Sequence, residues 1–276
     1  MSNCDTCPSK GNCSSQATCQ IENNPNNHVK KIVGVMSGKG GVGKSTISVL
    51  IAKELSEKGY RVGVLDADIT GPSIPRLLHV QDRKLMSSEL GLMPVETEQG
   101  IKVVSLNLLM ESEEQPVIWR GPVIAGVVKQ FWTDVYWGEL DYLIIDMPPG
   151  TGDVALTVMQ SIPINGIVMV SVPQDLVSMI VAKAVNMVRQ MKVPVIGIVE
   201  NMSYILCPDC GKKIQMFDSE NTEDFLREFD VELLGELPTS RELAGLSKEE
   251  KELQSAELKR TIRNITEKVI HSDKKP

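Results

Sequence analysis

Residues 38–45 read Gly-Lys-Gly-Gly-Val-Gly-Lys-Ser, which fits the spacing G-x-x-x-x-G-K-[ST]. Glycines at this density let successive backbone N–H groups turn inward around a phosphate, and a helix starting at the last of them adds a favourable dipole. In such a loop Gly38, Gly40, Gly41, Val42, Gly43 and Thr46 supply backbone, Lys44 reaches the β- and γ-phosphates, and Ser45 ligates Mg²⁺. Two acidic segments follow apolar runs. Val62–Leu65 leads into Asp66-Ala67-Asp68, and Tyr142–Ile145 leads into Asp146. A carboxylate at the C-terminal end of a parallel strand stands where open α/β sheets bind ligands. Asp146 is therefore expected to hold Mg²⁺ through its water shell, and Gly150 to bring an N–H to the γ-phosphate. An Asp at a strand end also suits a helix cap, and that alternative stays open for Asp66, Asp68 and Asp153.

The cysteines form a second chemical group. Cys207-Pro208-Asp209-Cys210-Gly211 is a C-x2-C turn, in which two intervening residues let both sulfurs converge on one metal centre. One pair supplies two of the four ligands such a centre takes, so the others are expected from a twofold-related copy, making the site a bridge in a homodimer. A 4Fe-4S cluster, a zinc ion and a redox dithiol all fit that turn. The remaining four, Cys4, Cys7, Cys13 and Cys19, space as C-x2-C-x5-C-x5-C and can wrap an iron-sulfur cluster or a zinc ion, or stay metal-free.

These groups need a scaffold, and the rest of the chain supplies one. With 42% apolar but only 4% aromatic residues among 276, the core must be built from Val, Ile, Leu, Met and Ala. Short β-branched runs recur at 32–36, 62–65, 103–106, 143–145, 167–170 and 195–199, each of the length of a strand buried on both faces. Helix-period segments lie between several of them, as at Ser45–Lys58 and at Leu176–Met191, where Leu176, Ile180, Ala184, Val188 and Met191 share a stripe. The pattern predicts an α/β fold, a mostly parallel sheet with helices on both faces. Residues 1–28 read as a flexible Cys-rich tail and linker, and 29–276 as the folded domain. The last thirty residues read as a closing helix with Leu258, Ile262, Ile265 and Val269 on one face. A net charge of −7 argues against broad nucleic-acid binding, with a local basic patch still open. No stretch of about eighteen apolar residues suggests a membrane span and no apolar leader precedes the tail, so a cytoplasmic location is expected. In a reducing compartment clustered thiols are metal ligands or redox groups more often than disulfides.

Lys39 makes the phosphate loop more specific. Lys39-Gly40-Gly41-Val42-Gly43-Lys44-Ser45 resembles the deviant P-loop of the MinD, ParA, nitrogenase-reductase and Mrp superfamily. The resemblance implies a P-loop NTPase fold and an ATP-sandwich homodimer in which Lys39 reaches the partner's nucleotide. It also implies that Asp68 orients the attacking water and Asp66 supports Mg²⁺. Val117–Pro122, Trp137–Tyr142, Asp146–Asp153, Ser171–Gln174 and Val199–Tyr204 narrow the likeness, because together they resemble an Mrp/ApbC-type (Nbp-like) P-loop ATPase that carries iron-sulfur clusters. This implies slow ATP hydrolysis coupled to transfer of a 4Fe-4S cluster to apoproteins, with Asn201 at the adenine. The tail departs from the pattern of eukaryotic members, whose remaining Cys lies upstream of the x2 and x5 gaps, whereas Cys19 lies downstream. Two other activities share the P-loop: a MinD/ParA-like positioning ATPase and a zinc-dimerised targeting ATPase.

Overall fold

A computed structural model of the chain describes residues 23–69, 71–110, 121–176, 179–207, 209–215, 220–248 and 253–272. The tail cysteines Cys4, Cys7, Cys13 and Cys19 lie outside the described residues, as does the Trp119-Arg120 segment.

The apolar runs become strands of one sheet. β1 (His28–Ser37) feeds the glycine loop and α1 (Lys44–Glu57), and β2 (Val62–Asp66) is followed by the short α2 (Ile74–Leu77). A small hairpin of β3 (Met86–Ser88) and β4 (Gly91–Met93) precedes β5 (Val95–Glu96), β6 (Lys102–Val104) and a 3-10 turn at Leu106–Leu108. Then come α3 (Gly121–Thr133), β7 (Glu139–Asp146), α4 (Asp153–Ser161), β8 (Gly166–Ser171), α5 (Pro173–Leu176) and α6 (Met179–Gln190). The chain continues through β9 (Val195–Leu206), β10 (Lys213–Gln215), α7 (Glu220–Glu228), β11 (Leu233–Pro238), α8 (Arg241–Gly245) and α9 (Ala256–His271).

β6, β2, β7, β1, β8, β9 and β11 run side by side and parallel, with β5 and β10 added antiparallel at the margins. β1 is central, and alternate residues divide the core. Val33 and Val35 pack with α1 and α9, while Ile32 and Met36 pack with α3, α4 and α6. Strands sealed on both faces explain why their sequences read as continuous apolar runs rather than alternating ones.

Several boundaries differ from expectation. The linker reading of residues 23–28 is corrected, because His28 already belongs to β1 and Asn24 and Asn27 are buried. Asn27 Nδ2 donates to the Val135 carbonyl at 2.8 Å, and its Oδ1 accepts from Gly138 N–H at 2.9 Å. Polar composition reads as linker, but these amides stand in for backbone partners at the foot of the sheet. The stripe proposed from Leu176 is also corrected. The helix proper begins at Met179 and buries Val181, Ala184, Val185 and Val188, leaving Ile180 45% exposed beside the glycine loop. Among the described residues of the last thirty, 256–271 form the closing helix. Its Leu258, Ile262, Ile265 and Val269 are buried as the periodicity predicts, and Ser255 caps it by accepting from Leu258 N–H. The buried Lys31 ties down the other end by donating to the carbonyls of Val269 and Ile270, where cations favour the helix dipole.

Candidate nucleotide and thiol sites

β1 ends at Ser37, and α1 starts at Lys44, so the six residues between them form a loop at the C-terminal edge of the sheet. Gly41 and Gly43 have φ of +82° and +83°, a conformation that side chains resist and that anion-binding turns of successive backbone N–H groups use. Gly43 has a further reason to lack a side chain: a Cβ there would stand 2.2 Å from Asn201 Nδ2. Lys39, Gly40 and Gly41 are exposed at the loop's mouth, and Ser37 Oγ donates to the Lys39 carbonyl at 2.9 Å.

Beneath the loop the acidic residues gather on Lys44. Its Nζ is 2.9 Å from Asp146 Oδ1 and 3.7 Å from Asp68 Oδ2. Ser45 Oγ donates to Asp146 Oδ2 at 2.5 Å, and Ser48 Oγ donates to Asp146 Oδ1 at 2.7 Å. Asp66 lies on the neighbouring strand, directly across the ladder from Asp146, and accepts from Ser105 Oγ at 3.0 Å and from Asp68 N–H at 3.2 Å. Burial pushes the Asp66 carboxyl well above the usual range, and the facing Asp146 charge adds to this against the pull of Lys44. The carboxylate and hydroxyl oxygens gathered here are the kind of ligand a hard divalent cation takes, once the Lys44 ammonium moves off Asp146.

Ser48 and Ser105 were not among the sequence candidates. Ser48 lies three residues beyond Ser45 on the same helix face, a spacing that fits the pattern only once Asp146 is known to stand below. Ser105 follows β6, and nothing in the sequence tells that β6 neighbours β2. Gly150 requires a correction. Its N–H donates to the Ser37 carbonyl at 2.8 Å, so here it staples the loop after β7 to the end of β1 instead of pointing at a phosphate position. Asn201, on β9, donates its Nδ2 to the Val42 carbonyl at 2.9 Å, so half of the amide is committed to the glycine loop. Its Oδ1 is buried with no partner among the described residues, an acceptor left for a ligand's donor.

Cys207 and Cys210 sit in the loop that joins β9 to β10, apart from the acidic cluster in sequence but directly after the strand that carries Asn201. Cys207 N–H donates to the Lys212 carbonyl, and Gly211, at φ +70°, donates its N–H to the Cys207 carbonyl, both at 2.9 Å. The Cys210 backbone N–H bonds the Cys207 sulfur, with Asp209 N–H and the Cys210 side chain helping, and this holds the Cys207 thiol below its usual range. Neither sulfur is in a disulfide. Among the described residues no third His, Cys, Asp or Glu joins them to complete a metal site. Nor is any described helix long and apolar enough to cross a membrane.

The chain is similar to known proteins. An "Iron-sulfur cluster carrier protein" of Clostridium perfringens is 51% identical over 247 residues, covering 87% of this chain and 86% of its own. Another of that name, from Methanocaldococcus jannaschii, is 43% identical and covers 96% of each chain. A nucleotide-binding protein from Archaeoglobus fulgidus, solved in complex with ADP, superposes with a TM-score of 0.71 at 45% identity over 79% of this chain and 86% of its own. The MinD cell division protein of Aquifex aeolicus has a TM-score of 0.59 at 17% identity over 87% of this chain and 96% of its own, a likeness of fold alone. The profile of the NUBPL iron-transfer P-loop NTPases matches residues 28–272, from the first strand to the end of the closing helix, and the chain belongs to that family within the ParA superfamily.

Proposed function

We propose that the protein is a cytoplasmic homodimeric ATPase that carries a 4Fe-4S cluster between the Cys207/Cys210 pairs of two subunits and hands it to apoproteins. The observation that carries this reading is a C-x2-C turn with one sulfur held toward the thiolate and half a ligand set, in a member of an iron-transfer NTPase family. Two such turns related by a twofold axis supply the four thiolates a cluster takes. The names of the curated relatives support the cargo, and the ADP in the Archaeoglobus protein supports a nucleotide in the glycine loop.

The site residues take roles that follow from their positions. Backbone N–H groups of 38–46 surround the β-phosphate, and Lys44 moves its ammonium from Asp146 to the phosphate oxygens. Ser45 and Asp146, with Asp66 behind them, hold the Mg²⁺ ion, which when bound neutralises charge between the β- and γ-phosphates. Asp68, the most solvent-accessible of the three carboxylates, accepts a hydrogen bond from the attacking water at Oδ2 and so aligns it. The free Asn201 Oδ1 accepts from the amino group of adenine. Lys39 completes the charge around the partner's nucleotide, so turnover is slow until the dimer closes, and hydrolysis serves as a switch. Cys4, Cys7, Cys13 and Cys19 form a second iron-sulfur site on the tail.

Anaerobic reconstitution followed by iron, sulfide and zinc analysis tests the reading. With the tail cysteines changed to serine, roughly four irons and four sulfides per dimer with broad visible absorbance are expected. Stoichiometric zinc without colour would replace the cluster with a bridging zinc, and a Cys207→Ala/Cys210→Ala protein with its tail cysteines intact that still carried a dimer-bridging cluster and activated apoproteins normally would sink the proposal.

A further inference from the structure

β10 buries nothing of its own. Its three residues are exposed, and it pairs with the far end of β9 as an edge strand. An edge strand this short gains no register from burial. Yet β10 sets the shape of the cysteine loop, because Lys213 pairs with Leu206, the residue before Cys207, and Lys212 supplies the carbonyl that takes Cys207 N–H.

Lys213 is the side chain that ties this strand to the sheet. Its Nζ is 2.5 Å from Glu236 Oε2 on β11 and 4.1 Å from the centroid of the Tyr204 ring on β9. One ammonium therefore spans three strands, with an ion pair on one side and an aromatic face on the other. Both partners are themselves fixed. Tyr204 is buried and its carbonyl accepts from Thr239 N–H at 2.8 Å. Glu236 stands opposite Glu200 in the β9–β11 ladder, and Ser203 Oγ lies 2.7 Å from Glu200 Oε2 and 3.3 Å from Glu236 Oε1. Carboxylates directly opposite repel, and Lys213 offsets that repulsion at the base of the hairpin.

We propose that Lys213 is a positioning residue for the cysteine pair: clamped between Glu236 and Tyr204, it fixes the β9–β10 register so that both sulfurs present to one metal centre. This rests on the reading of Cys207 and Cys210 as metal thiolates. Groups that orient ligands from behind typically change metal affinity by about 10- to 100-fold when removed.

The test uses the full chain with Cys4, Cys7, Cys13 and Cys19 changed to serine, titrated anaerobically with Co²⁺ and followed by the thiolate-to-cobalt charge-transfer band. Lys213→Met is expected to weaken Co²⁺ binding about 10-fold or more, and Lys213→Arg to recover most of it, since both the charge and the aromatic contact survive. ADP affinity, measured in parallel, is expected to stay within about twofold, showing an intact fold. Should Lys213→Met fail to fold, Glu236→Gln removes the same ion pair from β11 and is expected to weaken Co²⁺ similarly. The proposal is overturned by a folded Lys213→Met or Glu236→Gln protein with unchanged Co²⁺ affinity and band, or by Lys213→Arg binding as weakly as Lys213→Met. A parent that never develops the band instead brings down the thiolate reading itself.

Discussion

Asp66 and Asp146 face each other across the β2–β7 ladder with their side chains closed off from solvent. The ammonium of Lys44, 2.9 Å from Asp146 Oδ1, also acts on the Asp66 charge. Two buried carboxylates beside one ammonium leave the ligand-free protein under electrostatic stress that a divalent cation, on the reading proposed above, would relieve.

The pH dependence follows from that stress. Because burial and Asp146 raise the Asp66 carboxyl, the native state binds its proton more tightly than the unfolded chain does. Stability of the ligand-free protein therefore falls as pH rises from the unfolded value of 3.8 through the raised native one, with this group's contribution opposite to that of a salt-bridged carboxylate. Asp66→Asn keeps a hydrogen-bonding side chain without the charge. It is expected to melt higher than the parent at pH 8 without Mg²⁺, the gap closing in acid, and to bind Mg²⁺-nucleotide more weakly. Calorimetry across pH with and without Mg²⁺ reads both effects, and an equal melting point at pH 8 would count against the raised carboxyl.

Lys44→Ala removes the cation from a buried pair and leaves Asp146 with hydroxyl donors only. Stranding a buried charge costs about 3 kcal/mol, so the variant should unfold at lower denaturant in the ligand-free state as well as lose nucleotide binding. Adding Asp146→Asn should recover much of that stability but none of the binding. Urea titrations of the two variants decide it.

Gly43→Ala meets two obstacles, a φ of +83° and the Asn201 amide 2.2 Å from the new Cβ. A cost of about 1–3 kcal/mol is expected for the strained backbone alone, with nucleotide affinity lost as the loop shifts. Gly43→Ala/Asn201→Ala should be less destabilised than the sum of the single variants, because the clash disappears with the amide. A double-mutant cycle that proves additive would show that the two residues do not meet.

Cys207 is less exposed than Cys210, so access alone would make Cys210 react first. The N–H groups of Cys210 and Asp209 favour the Cys207 thiolate, and reactivity near neutral pH follows thiolate fraction. Iodoacetamide at pH 7 is therefore expected to label Cys207 several times faster than Cys210 in the metal-free protein, as read by peptide mass spectrometry. The preference should fade as pH rises toward the ordinary thiol range.

Much of this was legible in the chain. The glycine loop, the strand-end aspartates and the C-x2-C turn are local chemistry, because each depends on residues within about ten positions of one another, where backbone sterics and hydrogen bonding act directly. The β-branched runs likewise announced a parallel sheet covered on both faces. Boundaries were less legible: Asn24 and Asn27 read as linker because their polarity hides the backbone groups they satisfy at the foot of the sheet, and Ile180 read as core because helical periodicity does not tell where a helix begins.

Sequence by itself pointed to Lys44, Ser45 and Asp146 as a phosphate site and to Cys207 and Cys210 as half of a metal centre. Only the tertiary structure decided that Asp66 lies opposite Asp146, that Ser48 and Ser105 complete the carboxylates' hydrogen bonds, that Gly150 spends its N–H on Ser37, and that Lys213 clamps the cysteine hairpin to Glu236 and Tyr204. These contacts join strands whose order in the sheet is fixed by which faces can be buried together, and most bring together residues far apart in the chain, a property of the packed whole that no local pattern encodes.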